Sequence, residues 1–126
     1  MKLSNNFSKK EFECKCGCEM PKEVLDNIIR LADQLQVIRD YCCESITINS
    51  AYRCISHNRS IGSNNTSQHI LGKAADIVIR NIKPQAVINM LEDMLEIEDL
   101  FPFFIGGIGS YDSFTHVDIR PSRARW

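Results

Sequence analysis

One long amphipathic segment constrains the fold of this chain more than any other feature of its sequence. From about residue 21 to residue 42, apolar side chains recur at the three- and four-residue spacing of an α-helix. They are Val24, Leu25, Ile28, Ile29, Leu31, Ala32, Leu35, Ile38 and Tyr41. Pro21 stands where the first helical residue is favoured. A stripe of this length has to be buried, so the rest of the chain must supply a layer that covers it.

Shorter segments of a different pattern supply that layer. Four of them have the alternation, β-branched content or glycine punctuation of strands, at residues 45–52, 74–79, 106–111 and 114–120. A second long helix is predicted over residues 84–97, and Ser8 and Glu11 have the spacing of a capping box that opens a short helix. This order predicts an α+β domain with two main helices and a small, largely antiparallel sheet.

Two regions lie outside these regular elements. Residues 56–68 are rich in Ser, Asn and Gly and are predicted to form a loop. The loop is long for a bare connection, and such loops in small domains are often functional. Phe101, Phe103 and Phe104 form an aromatic cluster that is expected to join the core.

Composition limits the classes of function. The chain has 126 residues, of which 44% are hydrophobic and 25% charged, so residues 1–126 are predicted to form one domain. The net charge of −1 gives no general attraction to nucleic acid. The sequence has no run of about 18 apolar residues, so no membrane span is expected. The first residues lack the apolar centre of a signal peptide, so synthesis in the cytoplasm is expected.

The six cysteines have several explanations. Cys14, Cys16 and Cys18 form a C-x-C-G-C motif, and the others follow at positions 42, 43 and 54. Reduced thiols are expected where no signal peptide directs the chain to an oxidising compartment. A zinc site at the motif is an alternative, but structural zinc usually takes C-x2-C pairs and needs a fourth ligand. A tight turn at Gly17 with free thiols is favoured over a metal site or a disulfide.

The histidines are fewer and more informative. His69 and Asp76 lie in the segment S-x-H-x2-G-x-A-x-D, and His116 and Asp118 lie two residues apart on one face of a predicted strand. Two imidazoles and a carboxylate form a ligand set that leaves the fourth position of a catalytic zinc ion open for water. Spacing alone does not separate this set from ordinary buried histidines, and the cysteines compete as ligands.

These motifs resemble those of the zinc D-alanyl-D-alanine carboxypeptidases, a group that includes bacterial and phage cell-wall peptidases of the hedgehog/DD-peptidase fold. The resemblance is carried by residues 50–53, 57–59, 67–76, 106–109 and 114–118. It implies that His69, Asp76 and His116 bind zinc. It also implies that Arg53 binds the substrate carboxylate or stabilises the oxyanion. For Ser67, a hydrogen bond to the substrate and a role in capping the turn are both open.

The general base is the point at which the sequence departs from this pattern. Relatives commonly place a Glu or Asp three residues before the last zinc histidine, where it takes a proton from the attacking water. Here that position is Ser113, which cannot serve. Asp118 is the preferred candidate because it shares a strand face with His116, and Asp112 is the second. Either carboxylate could instead orient a ligand histidine through its other ring nitrogen.

The resemblance implies a zinc metallopeptidase that hydrolyses an amide bond in peptidoglycan stem peptides, as a D,D-carboxypeptidase or an endopeptidase. A monomeric phage-type lysin that acts on the cell wall after release is the expected setting. The alternative is a non-catalytic zinc module of the same fold, as in hedgehog signalling domains, with a wall-docking or virion structural role. Ser113 favours that alternative. The basic tail, which contains Arg120, Arg123 and Arg125, either meets anionic polymer or is a solvated end.

Overall fold

The computed structural model describes residues 1–102 and 105–126. The helices are α1 (Lys22–Cys42), α2 (Ile55–Ser60) and α3 (Pro84–Leu95), and a 3-10 turn, Lys9–Phe12, precedes them. The strands are β1 (Ile46–Ser50), β2 (Ala74–Ile79), β3 (Gly107–Ser110), β4 (Thr115–Asp118) and β5 (Ala124–Arg125). Within these ranges, no helix combines the length and the apolar character that crossing a membrane requires.

The strands form one sheet in the order β1-β2-β4-β3-β5. Its neighbours are antiparallel except for β3 and β5, which run parallel. The predicted α+β class, with a small and largely antiparallel sheet, is therefore confirmed. The register places Asp76 of β2 directly opposite His116 of β4, and Ser50 of β1 also pairs with Asp76.

One face of this sheet carries the hydrophobic core. Ala75, Ile77, Ile108 and Val117 point from the strands into a buried cluster. The same cluster contains residues from the inner sides of α1 and α3, which are Ile28, Leu31, Leu35, Ile38, Val87, Leu91 and Met94. Because side chains alternate along a strand, Asp76 and His116 project from the opposite face. The amphipathic stripe of α1 thus covers the sheet and leaves the other face for polar chemistry.

Several predicted boundaries change in the structure. The polar loop contains a short helix, α2, whose N-cap Cys54 accepts a hydrogen bond from the backbone N–H of His57. The helix predicted over residues 84–97 ends at Leu95. The strand at residues 74–79 has its predicted bounds, and the other three predicted strands are shorter at both ends. Phe101 packs against the core as predicted, whereas Phe103 and Phe104 lie outside the described residues.

The tail also contains a strand that the sequence pattern did not indicate. β5 has only two residues and pairs with the edge of β3. A segment this short has no periodicity from which a strand could be predicted.

Two glycines of β3 allow side chains to lie directly over the strand. A Cβ at Gly107 would overlap the Asp118 carboxylate, and a Cβ at Gly109 would lie 2.6 Å from the indole ring of Trp126. Any larger residue would therefore displace one of these side chains. The glycine-rich pattern of this strand is explained by close packing over its polar face.

Candidate metal centre and cleft

Three buried side chains converge on the polar face of the sheet. The Oδ1 atom of Asp76 lies 3.2 Å from Nε2 of His69 and 3.1 Å from Nδ1 of His116. All three ligand atoms lie within 4.8 Å of one another. Four ligands about 2.0 Å from a tetrahedral zinc ion are separated by about 3.3 Å. The structure thus brings together the three residues that the sequence analysis selected, at separations that suit one small metal ion.

The hydrogen bonds behind the two imidazoles determine which ring nitrogen carries the proton. Nδ1 of His69 lies 2.7 Å from the carbonyl oxygen of Ala51, and Nε2 of His116 lies 2.7 Å from Oδ2 of Asp118. A carbonyl and an ionised carboxylate only accept, so each of these nitrogens donates. In the neutral imidazoles, the other nitrogens then present lone pairs to Asp76. A cation is the species that satisfies three converging lone pairs, so the donor set fits a metal.

Without a metal, this arrangement perturbs the protonation of its members. Burial alone would raise the pKa of Asp76, but hydrogen bonds from His116 and His69 outweigh it and hold that pKa far below its ordinary value. Burial alone would lower the pKa of His116, but bonds to Asp118 and Asp76 raise it overall. Both shifts have the same physical cause, since the carboxylate and the imidazole each stabilise the charged form of the other.

A local turn positions His69, whereas strands β2 and β4 position Asp76 and His116. His69 lies in a turn in which its backbone N–H donates to Oγ of Ser67, at 3.2 Å. The turn ends at Gly72, which has φ +72° and lies against α1, where a Cβ would meet Val24 at 2.7 Å. Glycine is required there by both the left-handed backbone and the close approach. The predicted turn-capping contact of Ser67 is present, and Ser67 also lines the cleft described below.

Arg53 lies beside the ligand set, as expected. One of its terminal nitrogens lies 3.2 Å from Oδ2 of Asp76, the oxygen that does not face the histidines. Its other donors contact Ser50, Asn58 and Ser63 at 3.0, 3.3 and 3.4 Å. The guanidinium is thus part of an ion pair with a ligand carboxylate. It also lines the cleft, where a substrate can reach it.

Asp118 lies on the far side of His116 from Asp76. Its side chain is 0% exposed, and its two oxygens also accept from Nε and Nη2 of Arg120 at 2.8 and 2.7 Å. Burial alone would raise its pKa, but the bonds from His116 and Arg120 hold it far below the ordinary value. Asp118 and His116 share a strand face as predicted. Among the described residues that line the cleft, however, the only acidic side chain is that of Asp76.

The other candidate for the general base is farther from the ligands. Asp112 is exposed and borders a separate depression with Lys83 and Pro84, and it does not line the metal cleft. The roles of Asp118 and Asp112 as bases stay predictions. The contacts of Asp118 favour the other role that the sequence left open, which is to orient a ligand histidine.

A cleft of about 410 Å³ opens over the ligand set. Trp126, Tyr111 and Phe114 form an aromatic wall along it. The Tyr111 and Phe114 rings stack at 4.4 Å, and the Trp126 indole N–H donates to the Tyr111 hydroxyl at 2.9 Å. The Arg120 guanidinium lies 5.1 Å from the centre of the Trp126 ring. Sequence reasoning missed this wall because Tyr111 and Trp126 belong to no motif, and the motif that contains Phe114 does not show that the three rings meet.

The arginines of the tail have defined partners. Arg123 and Arg125 both pair with Glu92 of α3, at 2.9 Å in each case, and Arg120 pairs with Asp118. Glu92 thereby connects α3 to the tail. The tail is therefore part of the fold, not a solvated end.

His57, the third histidine, does not line the cleft. The residue after it has the structural role instead. Asn58 is fully buried, accepts from Arg53 and donates to the carbonyl of Asn64 at 2.9 Å. These contacts connect Arg53 to the loop at Asn64.

The chain was also compared with known proteins. A comparison with curated proteins finds no match. The sequence profile of the family described as Peptidase M15 matches residues 5–118, which is most of the chain and includes all three metal-ligand candidates. The chain therefore belongs to the Peptidase M15 family, a family of zinc-dependent metallopeptidases.

Proposed function

We propose that this protein is a zinc-dependent peptidase that hydrolyses an amide bond in peptidoglycan peptides. The observation that carries the proposal is the convergence of three lone pairs, from His69, Asp76 and His116, at the floor of an open cleft. Membership of the Peptidase M15 family supports the same reaction class.

The metal and the chain have separate tasks in this proposal. A zinc ion held by the three ligands lowers the pKa of a water ligand towards neutrality and polarises a carbonyl. The chain orients both imidazoles through Ala51 and Asp118, and it places the Arg53 guanidinium against the second oxygen of Asp76. Each ligand is therefore prepared for the metal before substrate arrives.

The charges in the cleft suit an anionic substrate. Arg53 and Arg120 both line it, and each guanidinium has five N–H donors. Contacts between Arg53 and the described residues use four of these donors, which leaves one for a substrate carboxylate or for the oxyanion. Peptidoglycan peptides carry several carboxylates, so they match this cleft. The Ser67 hydroxyl adds a polar group for the peptide backbone.

We infer that Asp118 orients His116 instead of acting as the base. A general base must lie within hydrogen-bond reach of the proton that it removes. Both oxygens of Asp118 contact His116 or Arg120, and its side chain has no exposed surface. These contacts support a role in holding the imidazole in the tautomer that binds metal.

One observation favours the alternative of a non-catalytic zinc module. Apart from Asp76, no acidic side chain is found among the described residues that line the cleft. If that arrangement also holds when substrate is bound, proton transfer depends on another group. The two functions differ in whether any product forms, so they are separable by experiment.

The decisive experiment incubates the purified protein with muropeptides of several peptidoglycan types and identifies the products by mass spectrometry. We expect products that disappear with a chelator and return with zinc. We also expect His69→Ala to be inactive and the matched control His57→Ala to be active. Absence of any chelator-sensitive product would overturn the proposal in favour of the non-catalytic module.

The identity of the product decides the finer assignment. Release of a terminal D-alanine indicates a carboxypeptidase, and separation of two stem peptides indicates an endopeptidase. We further propose that the protein acts as a monomer on the cell wall, in the manner of a phage-type lysin. Lysis of intact cells by externally added protein, and its mass in solution, test these two points.

A further inference from the structure

The C-x-C-G-C motif meets a fourth cysteine in the fold. Cys14, Cys16 and Cys18 follow the 3-10 turn, and Cys54 is the N-cap of α2, 36 residues after Cys18. The ligand atoms of all four lie within 4.8 Å of one another. This is the fourth ligand that the sequence pattern lacked.

The separations between the sulfur atoms fit one tetrahedral metal ion. Sγ of Cys14 lies 3.3 Å from that of Cys16 and 3.9 Å from that of Cys54, and Cys16 and Cys54 are 3.6 Å apart. Four sulfurs about 2.3 Å from a tetrahedral zinc ion are separated by about 3.8 Å. All six cysteines of the chain are free, and these separations exceed the disulfide bond length of about 2.0 Å.

Two backbone N–H groups donate hydrogen bonds to the sulfur atoms, as such groups do to thiolate ligands. The backbone N–H groups of Cys54 and His57 donate to Sγ of Cys14 and of Cys54, each at 3.4 Å. Such donors offset negative charge on sulfur and hold each ligand in place. Gly17, at φ +85°, closes the turn through a bond from its N–H to the Cys14 carbonyl, so the predicted turn is present and directs the sulfurs to one side.

We propose that Cys14, Cys16, Cys18 and Cys54 bind a second zinc ion with a structural role. Four sulfur ligands leave no open position for substrate, as in other closed structural sites. None of the four lines the cleft. Iron also accepts four sulfurs, and metal analysis distinguishes it from zinc.

One ligand of the proposed cysteine site is the sequence neighbour of a residue that lines the metal cleft. Cys54 directly follows Arg53, and the residue before Arg53, Tyr52, donates its N–H to the carbonyl of Phe12 at 3.1 Å. The N-terminal segment is thus attached to the chain on both sides of Arg53. A metal ion at the cysteines makes the second attachment firm and thereby helps to hold Arg53 against Asp76.

Metal analysis of the purified chain is the first test. We expect about two zinc ions per chain in the wild-type protein and in the control Cys43→Ser, and about one in Cys54→Ser. Cys43 is suitable as a control because it lies at the end of α1 and belongs to no metal-ligand group among the described residues. One zinc ion that is present in the wild-type protein and retained in Cys54→Ser, or iron in the second site, would overturn the proposal.

Cobalt substitution of the wild-type chain tests the ligands directly and does not depend on peptidase activity. The metal-free, reduced protein is titrated with Co²⁺, and sulfur ligands produce thiolate-to-metal absorption that the His69–Asp76–His116 set cannot. We expect this absorption in the wild-type protein and in His69→Ala, and a loss of about a quarter of it in Cys54→Ser, since one of four sulfurs is removed. Absence of the absorption in the wild-type protein would overturn the proposal.

Thiol reactivity tests the site in the wild-type protein, so it does not depend on whether Cys54→Ser folds. In the zinc-loaded wild-type protein we expect only Cys42 and Cys43 to react rapidly with a thiol reagent. All six should react after denaturation in chelator. Six rapidly reacting thiols in the folded protein, or disulfides in place of thiols, would contradict the second zinc site.

Discussion

The carboxylate of Asp118 lies 2.7 Å from Nε2 of His116, on the side of the imidazole opposite to Asp76. The Arg120 guanidinium also donates to this carboxylate, at 2.7 Å. A hydrogen-bonded chain of guanidinium, buried carboxylate and buried imidazole thus ends at the metal-ligand candidates. This relationship gives a structural reason for an acid two positions after His116. The variant Asp118→Asn separates the two roles considered for that acid, which are to orient His116 and to act as the general base.

Asp118→Asn should weaken zinc binding at the cleft. An amide accepts a weaker bond from His116 and does not enforce its tautomer, and losses of such partners typically reduce metal affinity about 10–100-fold. We expect activity to fall at limiting zinc and to recover at least partly at saturating zinc. Zinc affinity and turnover are measured on the same preparation. Unchanged affinity with lost turnover would instead identify Asp118 as the general base.

Arg53→Ala should reduce catalysis without emptying the metal site. Loss of one donor to an oxyanion typically costs about 100–1000-fold in kcat, and loss of a carboxylate contact raises KM. Arg80→Ala, at an exposed position after β2, is the matched control. The measurement is kcat and KM on a defined muropeptide, with zinc content. Normal kinetics in Arg53→Ala would limit Arg53 to its ion pair with Asp76.

Gly107→Ala should destabilise the protein and weaken the metal site together. The new Cβ would overlap the Asp118 carboxylate, and overpacking of this kind costs about 1–3 kcal/mol. Ser110→Ala, at the exposed end of the same strand, should have little effect. Thermal unfolding and zinc affinity are measured for both variants. A stable Gly107→Ala with normal zinc affinity would show that Asp118 can move without consequence.

Acid should destabilise the metal-free protein through two carboxylates. The pKa values of Asp76 and Asp118 are held below the ordinary value of about 3.9. Each carboxylate therefore stabilises the fold above its unfolded pKa, and this stabilisation is lost as pH falls through the folded pKa. We expect the unfolding temperature of chelator-treated protein to fall below about pH 4, and to fall less steeply in Asp118→Asn. Equal slopes would contradict the role of Asp118.

The change of stability with pH has the opposite sign for His116. Its pKa is raised above the ordinary value of about 6.5, so its contribution is complete below that value and is lost as pH rises through the folded pKa. Stability of the metal-free protein should thus decline on the alkaline side as well. Zinc binding removes the proton from His116, so zinc affinity should increase over the same range. Zinc titrations at several pH values measure this directly.

Local sequence patterns were sufficient for the elements that bury a long or regular apolar face. The stripe of α1, the alternation of β2 and β4 and the Pro84 start of α3 each follow from periods of 3.6 or 2 residues. α2 and β5 were missed because six and two residues are too few to show a period. Cys54 caps α2 with a sulfur atom, which no common capping pattern includes.

The sequence by itself identified the candidate metal ligands, since His69, Asp76 and His116 lie in motifs that resemble those of zinc peptidases. Only the tertiary structure decided how they are used. Strand register places Asp76 opposite His116, and this register depends on pairing between segments 40 residues apart. Contacts between residues 15 and 40 positions apart also place Trp126 beside Tyr111 in the cleft and Cys54 beside Cys14. The physical reason is that a motif records neighbours along the chain, whereas ligand fields and clefts are formed by neighbours in space.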